Sequence, residues 1–183
     1  MKNAESRITL ELVREDELED LKKKIQEAFG VAVVKEFGQQ DGPIPDDKDL
    51  DESFHAPDAV VYHLVEGGRR IGGAVLSIYT ETQCNSLNFF FVSPEYQNKG
   101  LGYAAWKAIE ERYPDTKVWK TVTPYFEKRN IHFYVNCCGF KIVEFWNQYH
   151  PDPYELEEAT GSGLPVGCDE SFCFEKVMGE FAR

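Results

Sequence analysis

The run Ser86–Gly102 reads Ser-Leu-Asn-Phe-Phe-Phe-Val-Ser-Pro-Glu-Tyr-Gln-Asn-Lys-Gly-Leu-Gly, and it carries the residues best suited to chemistry. An apolar strand passes through a short turn into a helix with two glycines at its start. Backbone N–H groups at a helix start have no intrahelical partner, and the helix dipole adds about half a positive charge there. Glycine lets a bulky anion approach the main chain. Gln97, Asn98, Lys99, Gly100, Leu101, Gly102 and Tyr103 therefore read as a cradle for a phosphate or pyrophosphate group. The run is not a Walker loop, because no Gly-Lys-Ser/Thr ending is present. It is not the dinucleotide fingerprint, because the third glycine is missing.

A second constellation lies downstream in Asn130-Ile131-His132-Phe133-Tyr134, followed by Gly139-Phe140. Together the two segments resemble the GNAT N-acetyltransferase superfamily. That family's pattern is Gln/Arg-x-x-Gly-x-Gly/Ala after a strand ending Val-x-Pro, matched here by Val92, Pro94, Gln97, Gly100 and Gly102. Its later motif has an Asn, a Phe/Leu-Tyr pair and Gly-Phe. The resemblance implies an α+β fold of α/β/α layers: a mixed, mostly antiparallel sheet with splayed central strands and flanking helices. It implies acetyl-CoA as co-substrate, with no metal, and transfer of the acetyl group to a primary amine by direct attack in a ternary complex. Pantetheine would enter beside Leu87–Val92, and the pyrophosphate would sit on N–H groups from Asn98 to Gly102, flanked by Gln97 and Lys99. A backbone N–H of Phe91 or Val92 would hold the thioester oxygen. Asn130 would reach the pantetheine arm, or else serve as a cap or first-turn residue. Tyr134 would protonate the departing thiolate, or else be a packed aromatic.

The chain departs from the family at one point. Four residues, Val135 to Cys138, separate Tyr134 from Gly139 where the family has three. One residue turns a helix by about 100°, so Tyr134 faces the sulfur only through a bulged or lengthened helix. The general base is unassigned: Ser86 and Asn88 are not useful bases, and Glu81, just upstream, is a candidate that reads better as a solvated hairpin acid. His55 and His63 carry no motif, and His132, on the same helix as Tyr134, reads as a surface residue and is left unassigned.

The elements that position these residues follow from periodicity. Arg7–Val13 reads as a strand, and Asp16–Phe29 as a helix with Leu18, Leu21, Ile25 and Phe29 on one face, ended by Gly30. Asp41–Pro57 reads as a loop or broken helical region. Ala59–Val65 and Ile71–Tyr79 form a hairpin across Gly67-Gly68. Leu87–Val92 is a strand, Lys99–Arg112 a helix, Lys117–Thr121 a short strand broken by Thr123-Pro124, and Phe126–Cys137 a helix. Phe140–Trp146 and Ser171–Val177 are strands flanking a Pro/Gly/acid-rich loop, His150–Gly167. The whole reads as one domain over residues 1–183.

Composition sets the outer bounds. The chain has 183 residues, 42% hydrophobic and 28% charged, which is ordinary for a globular domain. No apolar run is long enough to span a bilayer, and the N-terminus lacks a secretion signal. The five cysteines are odd in number and include an adjacent pair, which favours free thiols and a cytoplasmic setting. A net charge of −12 disfavours nucleic acid. Seven acids against one lysine in Asp41–Asp58, and eight acids with no lysine or arginine in Ile142–Glu175, suit a cationic small-molecule or peptide acceptor, or are solvated loops. Ile142–Trp146 reads as a strand that could serve a homodimer. Two rival readings stand beside the acetyltransferase: a catalytically weak acyl-CoA-binding module, and a nucleotide-binding protein that uses the glycine loop.

Overall fold

The computed structural model describes residues 8–153 and 170–179. They fall into two compact units, the first ending at Lys117 and the second starting at Val118.

In the first unit, β1 (Ile8–Leu12), β2 (Ala59–Glu66), β3 (Arg69–Ser77) and β4 (Cys84–Val92) form an antiparallel meander in chain order. Its helices are α1 (Leu18–Phe37), α2 (Asp47–His55) and α3 (Leu101–Arg112). Strand alternation sends successive side chains to opposite faces. Val61, Val75 and Phe91 pack with Leu21 and Ile25 of α1 and Leu50 and Phe54 of α2. Tyr62 points to the other face, where its hydroxyl lies 2.7 Å from that of Tyr113, just past α3. Each aliphatic side chain so buried contributes about 1.5–3 kcal/mol.

One expectation is corrected here and one alternative is decided. The first helix does not stop at Gly30 but runs on to Phe37. Val33, 4% exposed, adds another buried contact, and the chain leaves the helix at Gly38, whose φ of 80° suits glycine. The Asp41–Pro57 segment takes the second of its two readings, a helix set among loop: Asp46 caps α2 by accepting from the Asp49 N–H at 2.8 Å, and Leu50 and Phe54 at i, i+4 bury its inner face. Buried Asn85 fastens the start of β4, accepting from the Tyr79 N–H and donating to the Thr116 hydroxyl, each at 2.8 Å.

In the second unit, β7 (Ser171–Val177) lies between β5 (Val118–Pro124) and β6 (Lys141–Trp146), antiparallel to both. β5 extends past the expected break and ends on Pro124. A short helix, α4 (Lys128–His132), continues into a π-helical turn, Phe133–Cys137. Tyr134, Phe140 and Phe174 form one aromatic cluster, with ring centroids 5.5–5.7 Å apart. Tyr125, Phe145 and Phe172 form another, at 5.0–5.6 Å. The expected loop lies outside the described residues from residue 154 onward, as does Cys168. Cys84, Cys137, Cys138 and Cys173 are free thiols. Among the described residues no helix is long and apolar enough to cross a membrane.

Candidate functional site

The end of β4 is shaped by its neighbour. Gly72 pairs with Val92 and Gly73 with Phe91. A Cβ on Gly72 would lie 2.1 Å from the Phe91 carbonyl oxygen, and one on Gly73 would lie 2.8 Å from both Leu21 and Phe91 side chains. At Gly72 the partner backbone is so close that only glycine fits, and at Gly73 the side-chain ends of Leu21 and Phe91 fill the space a Cβ would take. Farther up, the register slips: Val75 faces Phe89 and Leu76 faces Leu87, so Asn88 is an extra residue on β4. Such a bulge bends its strand and increases the local twist. The Asn88 amide donates to the Ser77 hydroxyl at 2.8 Å.

Past the bulge, the direction of each peptide group can be read off. The Ser93 N–H donates to Ile71 O at 2.8 Å. Peptide groups alternate along a strand, so Phe91 directs its N–H toward β3 and Val92 directs its own away. The Val92 carbonyl shares that outward direction and is taken by the Gln97 side-chain amide at 2.9 Å.

The chain then turns through Pro94–Tyr96, a single 3₁₀ turn with proline at its first position. Asn98 and Gly100 both hold positive φ, 63° and 74°. Gly100 is the N-cap of α3 and has no side-chain capping bond. The helix ladder opens with Ala104 N–H donating to Gly100 O at 3.2 Å. The N–H groups of Leu101, Gly102 and Tyr103 thus stand at the helix mouth without an intrahelical acceptor. A Cβ at Gly100 would meet nothing within 4 Å, so the space before the mouth is open. The Lys99 ammonium lies 5.6 Å from the centre of the Tyr96 ring, which tethers a positive charge beside that opening. This arrangement can accept an anion with several oxygens.

Phe91, Val92, Gln97, Asn98, Lys99, Gly100, Leu101, Gly102 and Tyr103 are therefore gathered in the first unit at one strand end and helix start. Gln97 points back to the strand, so it shapes the turn through Val92. Asn130 and Tyr134 belong to the second unit. Asn130 is the third residue of α4, whose N-cap is Glu127. Tyr134 lies in the π turn: Cys138 N–H donates to Phe133 O, five residues back, at 2.9 Å. The extra residue before Gly139 is absorbed as that wider turn. The Tyr134 side chain is 6% exposed. Burial pushes its phenol well above the usual value, opposed by a hydrogen bond with the Thr121 hydroxyl.

Sequence reasoning missed three features. Gly72-Gly73 inside a β-branched strand was the legible signal of close backbone approach. The bulge at Asn88 left no signal of its own. Glu127 is a partly buried carboxyl that desolvation pushes upward against the pull of Arg129. An acid held nearer neutrality is better matched to accept a proton at working pH.

Comparison with known proteins identifies the family and the fold. The acetyltransferase (GNAT) family pattern matches residues 18–140, and the chain belongs to that family. It is 53% identical to the uncharacterized protein YrkN of Bacillus subtilis over 176 residues, 95% of each chain. The spermidine N-acetyltransferase of Vibrio cholerae, solved with CoA and spermine, superposes with a TM-score of 0.66 at 12% identity, covering 97% of this chain and 99% of that one. A GNAT family acetyltransferase of Elizabethkingia anophelis with acetyl-CoA bound gives 0.65 at 14% identity, covering 94% and 99%. At these identities the structures establish the shared fold.

Proposed function

We propose that residues 1–183 act as one domain that transfers an acetyl group from acetyl-CoA to a primary amine. The observation that carries the reading is the helix mouth at Leu101–Tyr103, held open by left-handed Asn98 and Gly100 directly after β4. Those N–H groups, with Lys99 beside them, bind the diphosphate. The outward N–H of Val92 holds the thioester oxygen as charge builds on it. Phe91 is not used this way, because its peptide group faces β3. Asn130 contacts the pantetheine arm, and Tyr134 gives a proton to the departing thiolate.

The acceptor amine must lose a proton before attack, since an amine of pKa about 10.4 is only about 1 part in 10³ neutral at pH 7. Direct attack then forms the amide as the C–S bond breaks, with no covalent enzyme intermediate. The acceptor is a cationic small molecule or peptide, in keeping with the acids of Asp41–Asp58. The setting is cytoplasmic.

A second reading, an acyl-CoA-binding module with weak chemistry, is favoured by the deep burial of Tyr134 and by the absence of a carboxylate between Ser86 and Val92. Two measurements decide between these readings. Thermal shift with acetyl-CoA and with ATP separates an acyl-CoA site from a nucleotide site, since a ligand at 100 times its Kd adds about 2.7 kcal/mol. Turnover of acetyl-CoA against amino acids, polyamines, aminoglycosides and peptides then separates an enzyme from a binding module. No shift with acetyl-CoA would overturn both.

A further inference from the structure

Glu127 stands where the chain passes from β5 into α4, and its backbone N–H is pinned to Pro124 O at 3.0 Å. It is the N-cap of α4, yet its half-buried side chain makes no capping bond to the helix. Capping is the usual employment of a side-chain oxygen at that position, so this carboxyl is not engaged by the helix. Glu127, Asn130 and Tyr134 lie at i, i+3 and i+7, which is one face of a helix. Helical side chains lean toward the N-terminus, so the Tyr134 ring is carried back toward the turn that holds Glu127 and Asn130. The two titratable groups sense each other, because the Glu127 charge is one of the causes that raise the Tyr134 phenol. Thr121 of β5 bonds to Tyr134, and Thr123 lies on the same face of that strand; both are buried and uncharged. Arg129 and Tyr134 are thus the charged or titratable groups that act on the Glu127 carboxyl.

We propose that Glu127 is the general base of the acetyl transfer, taking a proton from the ammonium group of the acceptor before the amine attacks. The assignment rests on the acetyltransferase reading above. During transfer the amine nitrogen and the departing sulfur are bonded to one carbon, so the group that unloads the nitrogen must lie beside the one that serves the sulfur. Glu127 and Tyr134 meet that condition on one helix face. The ammonium gives one proton to the Glu127 carboxylate, and the freed lone pair forms the C–N bond. The C–S electron pair leaves on sulfur, which takes the Tyr134 proton. The new amide nitrogen then gives its surplus proton to the tyrosinate, and Glu127 releases its own to water. Amide, free thiol and one proton are the products, and both side chains return to their starting forms. Desolvation, which raises the carboxyl against the pull of Arg129, makes it a better proton acceptor than an ordinary glutamate.

The test gives the full chain acetyl-CoA and two small acceptors at neutral pH: ethylamine, almost wholly protonated, and 2,2,2-trifluoroethylamine, which its fluorines keep neutral. Glu127→Gln is expected to slow acetylation of ethylamine about 10²-fold, and that of trifluoroethylamine by no more than about threefold. The acetyl-CoA thermal shift of the variant should match that of the parent, which verifies that the variant folds and that the cofactor site is assembled. Equal slowing with both amines, or no slowing with ethylamine, would overturn the proposal and leave the acetyltransferase reading standing. Loss of the acetyl-CoA shift in Glu127→Gln would overturn it by placing Glu127 in cofactor binding instead. A parent that shifts with acetyl-CoA yet acetylates neither amine overturns it too, and the acceptor panel then decides whether the enzyme reading survives.

Discussion

The Gln97 side-chain amide donates to the Val92 carbonyl at 2.9 Å, tying the first residue of the helix-entry loop to the last residue of β4. The bond spans Ser93–Tyr96 and so fixes where the mouth of α3 opens relative to the strand. It also occupies the outward carbonyl of Val92 while leaving the N–H of the same residue directed from the strand edge.

Replacing Gln97 by Leu keeps the bulk and deletes the donor. Losing such a bond costs about 0.5–1.5 kcal/mol, and the loss falls on loop position more than on the core. Acetyl-CoA affinity, read by calorimetry, should weaken about three- to tenfold while the melting temperature changes little. An unchanged affinity would mean that the loop holds its shape without this bond.

Gly100 separates conformation from ligand space. Its φ of 74° makes a side chain there cost about 1–2 kcal/mol, yet a Cβ would touch nothing within 4 Å. Gly100→Asn should therefore melt close to the parent, since Asn tolerates this region, and Gly100→Val should melt lower yet remain folded. Both place atoms at the helix mouth, so both should lose most of the acetyl-CoA thermal shift. A full shift in Gly100→Val would remove the diphosphate from this loop.

The sequence makes the loop legible because its signals are local: a strand, a turn proline, then Gly100 and Gly102 at the opening of an amphipathic helix. Most strands were legible for the same reason. What escaped depends on tertiary contact. Gly30 looks like a helix stop, but Val33 finds a buried place beyond it and the helix continues. Asp41–Pro57 reads as loop or broken helix, and the choice is made only where Leu50 and Phe54 pack against α1. The direction of the Val92 peptide follows from its register with β3, which no single-strand pattern encodes. The extra residue before Gly139 was visible in the sequence, but its consequence, a π turn, depended on how the helix accommodated it.

Tyr134 is the sharpest test of chemistry. Burial keeps its phenol protonated through the ordinary tyrosine range, so as an acid it would function without a break in rate up to high pH. Tyr134→Phe should lower turnover about 10²-fold while acetyl-CoA affinity stays within about twofold of the parent. Unchanged turnover would make Tyr134 a packing residue and strengthen the binding-module reading.

Acid sensitivity should trace to Glu17. Its carboxylate accepts from the Arg14 backbone N–H at 3.1 Å and pairs with Arg70 at 2.8 Å. The Arg14 backbone bond and then the Arg70 bond pull its pKa from the usual 4.5 down to about 2. A depressed carboxyl stabilises the fold above its unfolded pKa, and that contribution is lost as pH falls through the folded value. The loss should therefore run from about pH 4.5 toward 2. His63 adds a second window. It is 4% exposed, and Glu17 Oε2 is 3.5 Å from its Nε2, too far to satisfy it. Burial, with Arg70 nearby, pushes its pKa below the ordinary 6.5. The unfolded chain then takes up this proton first, so stability also declines as pH drops below about 6.5. Urea midpoints measured across pH should show both declines in the parent. Glu17→Gln should flatten the lower window, and His63→Gln the upper one. A lower window that survives Glu17→Gln would assign acid lability to other carboxylates.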